Sequence, residues 1–169
     1  MTLCGSRMLF QDIPFFYGWL SNKSSQLRID FIGLEYMVPI DAHSVFATMK
    51  IITHLFFECS YTKAIWWHVC DRCDIPRMTK GWEEWIRWAT VMWHGKSFVN
   101  FSRKLGFAAA VYYIWQEQNA RIFAGMSRTP NLVFDQIECI IREKLDLMRN
   151  ALPTDENIRI QSAWRVNNI

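Results

Sequence analysis

The sequence predicts a mostly α-helical single-domain bundle, and three observations carry that prediction. Apolar residues recur at i, i+3 and i+4 through most long stretches, and Pro and Gly fall where those stretches stop. No clear run of period-two alternation appears, so sheet-rich alternatives fit badly. The chain has 169 residues, 51% of them hydrophobic and 21% charged, which is a folded composition with enough chain for one sizeable core. The expected architecture is about six helices with at most a short β-ribbon near residues 44–53. Residues 1–153 form the domain. Residues 154–169 show no sustained periodicity and hold Asn157, Asn167 and Asn168, so a loosely ordered C-terminal tail is expected there.

Taken in order, Ile13-Pro14 followed by Phe15-Phe16-Tyr17-Gly18-Trp19-Leu20 predicts a short aromatic helix, interrupted by Ser21 to Ser25. A second helix runs from Gln26 to about Tyr36, with Leu27, Phe31 and Leu34 at helical spacing, and Val38-Pro39 stops it. A helix capped by Ser60 or Thr62 reaches Cys73, with Ile65, Val69 and Cys73 on the core side, and Pro76 ends it. A Trp-rich helix then covers Gly81 to Trp93, where Trp82, Trp85, Ile86, Ala89 and Trp93 share a face and His94-Gly95 follows. The longest helix runs from Ser97 to Phe123. Its stripe includes Phe98, Phe101, Leu105, Ala108, Tyr112, Trp115, Asn119 and Ile122, widened by Phe107, Val111 and Ile114, so it is central. Gly125 stops it. Thr129-Pro130 opens the last helix, a hydroxyl cap with Pro at the first helical position. Val133, Ile137, Ile140, Ile141, Met148 and Leu152 form its apolar face, Glu138 and Arg142 form an exposed i, i+4 pair, and it ends near Pro153.

Composition narrows the function classes. Nine Trp and twelve Phe are an aromatic surplus that fills a core first and offers a stacking surface second. Net charge is 19 − 16 = +3, and no block of like charge appears, so the basic footprint of a dedicated DNA binder is missing. Any nucleic-acid contact must come from a folded patch. Five Cys, an odd number, and the lack of a long apolar segment after Met1 point to a reducing, intracellular compartment, nucleus or cytoplasm. The longest uncharged apolar run, Leu105 to Trp115, is far short of the roughly 20 residues that span a bilayer, so no membrane partner is expected.

Two runs carry more specific information. His54-Leu55-Phe56-Phe57-Glu58-Cys59 sets two soft metal ligands at His-x4-Cys spacing, directly before Ser60-Tyr61-Thr62-Lys63-Ala64-Ile65-Trp66. Further on comes Leu105-Gly106-Phe107-Ala108-Ala109-Ala110-Val111-Tyr112-Tyr113-Ile114-Trp115-Gln116-Glu117-Gln118-Asn119-Ala120-Arg121-Ile122-Phe123. In order and separation these runs resemble the zinc-binding domain at the end of plant LINE-type (non-LTR retrotransposon) reverse transcriptase polyproteins. The resemblance covers about residues 10–150. It implies a helical module that follows the polymerase, helps hold RNA or target DNA, and has the upstream reverse transcriptase domain as its neighbour in the parent element. It also implies a Cys-x2-Cys pair roughly ten residues upstream of His54, completing a four-ligand structural site. Here that stretch reads Ser44-Val45-Phe46-Ala47, so the chain resembles a diverged copy that lacks the first Cys pair.

The retained half, His54 and Cys59, leaves three readings open. The two side chains pack as ordinary residues with no metal; or Cys70 and Cys73 complete the order His54-x4-Cys59-x10-Cys70-x2-Cys73; or His43 or Asp41 replaces the lost thiols. Two ligands alone do not make a structural zinc site, so the expectation is a chain without cofactor, zinc being the one candidate. His68 and His94 read as helix-surface or helix-end residues, Cys139 as a buried inert thiol, and Glu83, Glu84 and Glu117 as solvated faces. There is no paired-aspartate polymerase turn, spaced-carboxylate nuclease set, phosphate loop or nucleophile elbow, so the chain is expected not to be an enzyme.

Basic side chains near aromatic ones are the economical way to bind single strands. Lys63, Arg72, Arg77, Lys80 and Arg87 are therefore the candidate contacts to RNA or single-stranded DNA. The competing expectation is a metal-free helical protein-interaction module, or an inactive retroelement fragment with no selected function. If metal is absent, the Phe56–Trp66 region must act as a hydrophobic plug, packed on the long helix through residues such as Tyr112 and Trp115.

Overall fold

The computed structural model describes residue 54 and residues 58–78, 81–148 and 152–166. The two helices expected before residue 40 and the ribbon expected near residues 44–53 lie outside them. Within the described residues the protein is an all-α bundle of five helices with no strand. These are α1 (Ser60–Arg72), α2 (Trp82–Met92), α3 (Phe98–Ala124), α4 (Pro130–Asp146) and α5 (Asp155–Trp164).

Helix α3 is the axis of the bundle. Ser97 caps it, its hydroxyl accepting from the Asn100 N–H at 3.2 Å, and Gly125 ends it in the left-handed region at φ +62°. From Leu105 to Ala110 every residue is buried, so neighbours surround this stretch, as the wide apolar stripe predicts. Helix α1 lies close against it at Gly106. A Cβ there would lie 2.7 Å from Cys73 Sγ and 3.1 Å from Val69 Cγ1, so glycine is what lets the two backbones meet.

Helix α1 buries Thr62, Ile65, Trp66, Val69 and Cys70, a stripe at the spacing of one helix face. Its N-cap is Cys59, with no side-chain cap bond, rather than Ser60 or Thr62. The Thr62 hydroxyl instead donates back to the Cys59 carbonyl at 3.1 Å. At the other end Asp74 takes φ +51°, and the Ile75 N–H donates to the Cys70 carbonyl at 2.9 Å. That six-to-one bond, with Ile75 buried, is a Schellman stop built on Asp instead of Gly. Arg103 from α3 donates to the carbonyls of Cys73 (3.2 Å) and Asp74 (3.3 Å), clamping the reversal.

Helix α2 joins the bundle through rings. Trp85 stacks on Phe107 at 4.5 Å and meets Trp66 and Trp93 edge-on, each at 5.1 Å, and all four rings are buried. Trp66 therefore does act as a plug on α3, through Phe107 at 5.7 Å, and not through Tyr112 and Trp115 as expected. Those two lie further along α3 and pair with each other at 6.4 Å, Trp115 being exposed on the surface. Phe56 is outside the described residues.

Thr129 caps α4, accepting from the Leu132 N–H at 3.4 Å with Pro130 behind it. The helix stops at Asp146, short of the expected end near Pro153, and Leu152 is exposed. The expected Glu138–Arg142 pair is also corrected. Glu138 is mostly buried and faces Arg72 of α1 at 3.1 Å.

The expected loose tail is corrected too, because residues 155–164 form α5. Thr154 caps it, accepting from Asn157 at 3.3 Å, and Asp155 and Glu156 sit in its first turn, where the helix dipole favours acids. Ile160, Trp164 and Val166 are buried in the core, with Trp164 6.4 Å from Phe134. Asn157, read as a tail residue, fixes the entry: its amide donates to the Leu152 carbonyl at 2.7 Å.

Glu117, expected on a solvated face, has no exposed surface. Its Oε1 accepts from Arg121 Nε at 2.8 Å and from the Arg128 N–H at 2.9 Å, and its Oε2 accepts from Arg128 Nε at 2.7 Å. Burial pushes this carboxyl up, but the Arg121 bond and the Arg128 backbone and side-chain bonds outweigh it and hold it below the ordinary carboxylate range.

Two predictions follow from this packing. A carboxylate with a depressed folded-state pKa contributes stability that is present above its unfolded pKa and lost as pH falls through the folded one. The urea midpoint should therefore drop on acidification below about pH 4, and Glu117→Gln, which strands two guanidinium groups, should cost about 3 kcal/mol at pH 7 while flattening that acid limb. The second concerns Gly106→Ala, which should cost roughly 1–3 kcal/mol by overpacking. Combined with Cys73→Ala it should cost less than the sum of the two, because the clashing sulfur is gone, as a thermal-unfolding double-mutant cycle would register.

Candidate nucleic-acid interface

Helix periodicity puts Trp66 and Trp67 about 100° apart around α1, one in the aromatic core and the other on the surface. Trp67 is 41% exposed. One turn before it stands Lys63 and one turn after it Asp71, so the three share a stripe on the outer face of α1. Lys63 Nζ lies 5.9 Å from the Trp67 ring centroid. After the Schellman stop the chain turns back, anchored by buried Ile75, and brings the Arg77 guanidinium to 5.2 Å from the same ring. Both cations are within the range at which a ring face attracts them. Arg77 is in turn held by Asp71, with Nε on Oδ1 at 3.0 Å and Nη2 on Oδ2. The Asp71 bond outweighs partial desolvation and keeps the guanidinium more firmly protonated than usual.

Of the five basic candidates, the structure thus gathers Lys63 and Arg77 on one exposed ring. Arg72 lies apart from that ring, as a strut between helices. It faces Glu138, donates to the Ala163 carbonyl, and lies 5.7 and 5.9 Å from the rings of Phe134 and Trp164, tying α1 to α4 and α5. Arg87 is exposed on α2, and Lys80 lies outside the described residues. The residue types that complete the platform, Trp67 and Asp71, were not singled out from the sequence. Their places four and eight residues after Lys63, on one helix stripe, are the available signal.

The candidate metal ligands do not assemble. Among the described residues no three His, Cys, Asp or Glu side chains come together as a metal site, so Cys70 and Cys73 do not complete a set with His54 and Cys59. The reason is helical geometry. Cys70 and Cys73 sit on the buried face of α1, where Cys73 Sγ contacts the Ser102 carbonyl at 3.6 Å, while exposed His54 pairs with Glu58 at 3.2 Å. His43 and Asp41, like Ser44 and Ala47, lie outside the described residues. Burial pushes the thiols of Cys70 and Cys73 up, the latter to about 12. Cys59 moves the other way: partial burial raises it, but the backbone N–H groups of Thr62 and Tyr61, the Thr62 hydroxyl and the Arg121 charge outweigh that. Cys139, expected to be buried, is half-exposed and 3.9 Å from Glu143. His68 and His94 are surface residues as expected, His68 resting on Phe134 at 4.9 Å.

Among the described residues no helix is long and apolar enough to cross a membrane. Compared with known proteins, the chain matches no family model, no curated sequence and no solved structure.

The thiol environments set an order of reactivity. With iodoacetamide at neutral pH, peptide mapping should show Cys59 modified well before Cys70 and Cys73, which should react only as the chain unfolds in urea. Equal labelling of the three in the folded protein would contradict the buried placement of Cys70 and Cys73.

Proposed function

We propose that this chain is a non-catalytic module that contacts single-stranded RNA or DNA through Trp67, Lys63 and Arg77, in the manner of an accessory domain of a retroelement reverse transcriptase polyprotein. The observation that carries the reading is an exposed tryptophan with two cations at its ring. Every base has a π-face, so an aromatic platform binds without reading sequence, and a cation beside the ring meets a phosphate next to the stacked base. Duplex offers no such face, because its bases are already stacked on one another. The modest net charge of +3 agrees with a local contact rather than a long electrostatic footprint. The resemblance of the two sequence runs to the retroelement domain supports the same class of ligand.

A second reading, a helical protein-interaction module, draws on Ile122, Phe123 and Met126, which are exposed at the end of α3. The two readings separate in one titration. A labelled oligouridylate should bind at low ionic strength, bind more weakly as salt rises, and lose roughly tenfold in affinity on Trp67→Ala, given about 1–3 kcal/mol per stacked base. Duplex of the same length should bind less well. No binding at the lowest salt would end the nucleic-acid reading in favour of the second.

A further inference from the structure

Building on the single-strand reading, we propose that Asp71 is a positioning residue that decides how the platform holds its ligand. It fixes Arg77 against Trp67 and neutralises it, so the strand is gripped by stacking and by Lys63 rather than by two cations. The geometry is specific. Asp71 receives Arg77 through both carboxylate oxygens, Nε at 3.0 Å on one and Nη2 on the other, while the guanidinium stays 5.2 Å from the ring. A phosphate would use the same two-donor edge of the guanidinium, because fork geometry matches carboxylate and phosphate alike. To take that edge it must displace Asp71, and at any other edge it meets the charge of Asp71. Lys63 is placed differently. It approaches the ring at 5.9 Å, and no carboxylate among the described residues pairs with it.

The platform therefore presents two cations and one carboxylate, a net single positive charge beside an aromatic face. Arg77 and Asp71 are each about half exposed, so solvent ions reach them and the balance is readable in a salt titration. The consequence is a contact that favours stacking over phosphate grip and a shallow salt dependence.

Asp71→Asn tests this. Asparagine keeps the shape and one carbonyl acceptor for Arg77, so the arginine stays at the ring while the neutralising charge is gone. With a labelled oligouridylate, the slope of log K against log salt should be about −0.7 for the wild type, one phosphate on a single strand, and about −1.4 for Asp71→Asn. Affinity at low salt should rise severalfold. Adding Arg77→Ala to Asp71→Asn should return the slope to the wild-type value, and circular dichroism should show each variant folded. Binding by both proteins with the same slope would overturn the role of Asp71 and leave the single-strand reading standing. Weaker binding by Asp71→Asn would overturn it as well, since a purely structural residue behaves that way. Absence of binding by either protein at the lowest salt would remove the single-strand reading and this inference with it.

Discussion

The carboxylate of Glu117 is a full negative charge with no solvent around it, and much of the bundle's path is arranged to satisfy it. Taking such a charge out of water costs several kcal/mol unless partners replace the lost hydration. The partners come from two places: Arg121, one turn on along α3, and Arg128, whose backbone N–H and guanidinium both donate after the chain has left the helix. The second set is met only if the 125–129 connection folds back over α3. Gly125 permits that by taking the left-handed conformation at the helix end.

The same node reaches two further helices. Tyr61 of α1 donates its hydroxyl to the Arg128 carbonyl at 2.8 Å, and the Arg121 guanidinium lies 3.9 Å from the Tyr61 ring. Burial and the Glu117 charge both push the Tyr61 hydroxyl up. Arg128 also donates to Gln136 of α4 at 2.6 Å. One buried carboxylate thus ties α1, α3 and α4 near the start of α1. Arg72 with Glu138, Phe134 and Trp164 makes the corresponding tie near the other end. Beside the second tie, Gly106 lets the end of α1 lie hard against α3.

These ties also hold the outer face of α1 in place. A helix pinned at both ends is a rigid mount, and Trp67, Lys63 and Asp71 ride on it at fixed spacing. Arg77 arrives there because the Schellman stop at Asp74, clamped by Arg103, sends the chain back along the helix and not away from it. Without that reversal the ring would have one cation beside it instead of two.

Sequence alone determined the helical class, the long central helix with its Ser97 and Gly125 ends, and the Thr129-Pro130 start of α4. Each of these rests on residues within a turn or two of one another, where spacing and capping chemistry are read directly along the chain. Helix α5 was legible in the same way, through Thr154, Asp155, Glu156 and the Ile160–Trp164 pair, but the Asn-rich composition masked it. Only the tertiary structure decided that Arg72 is a strut and that Glu117 is buried. It likewise decided that Cys70 joins Cys73 in the core, away from His54, and that Trp66 packs on Phe107 and not on Tyr112. A charged side chain is exposed or buried according to which partner the fold brings to it. Glu138 reaches Arg72 from another helix, and Arg128 reaches Glu117 across a turn whose path no local spacing records.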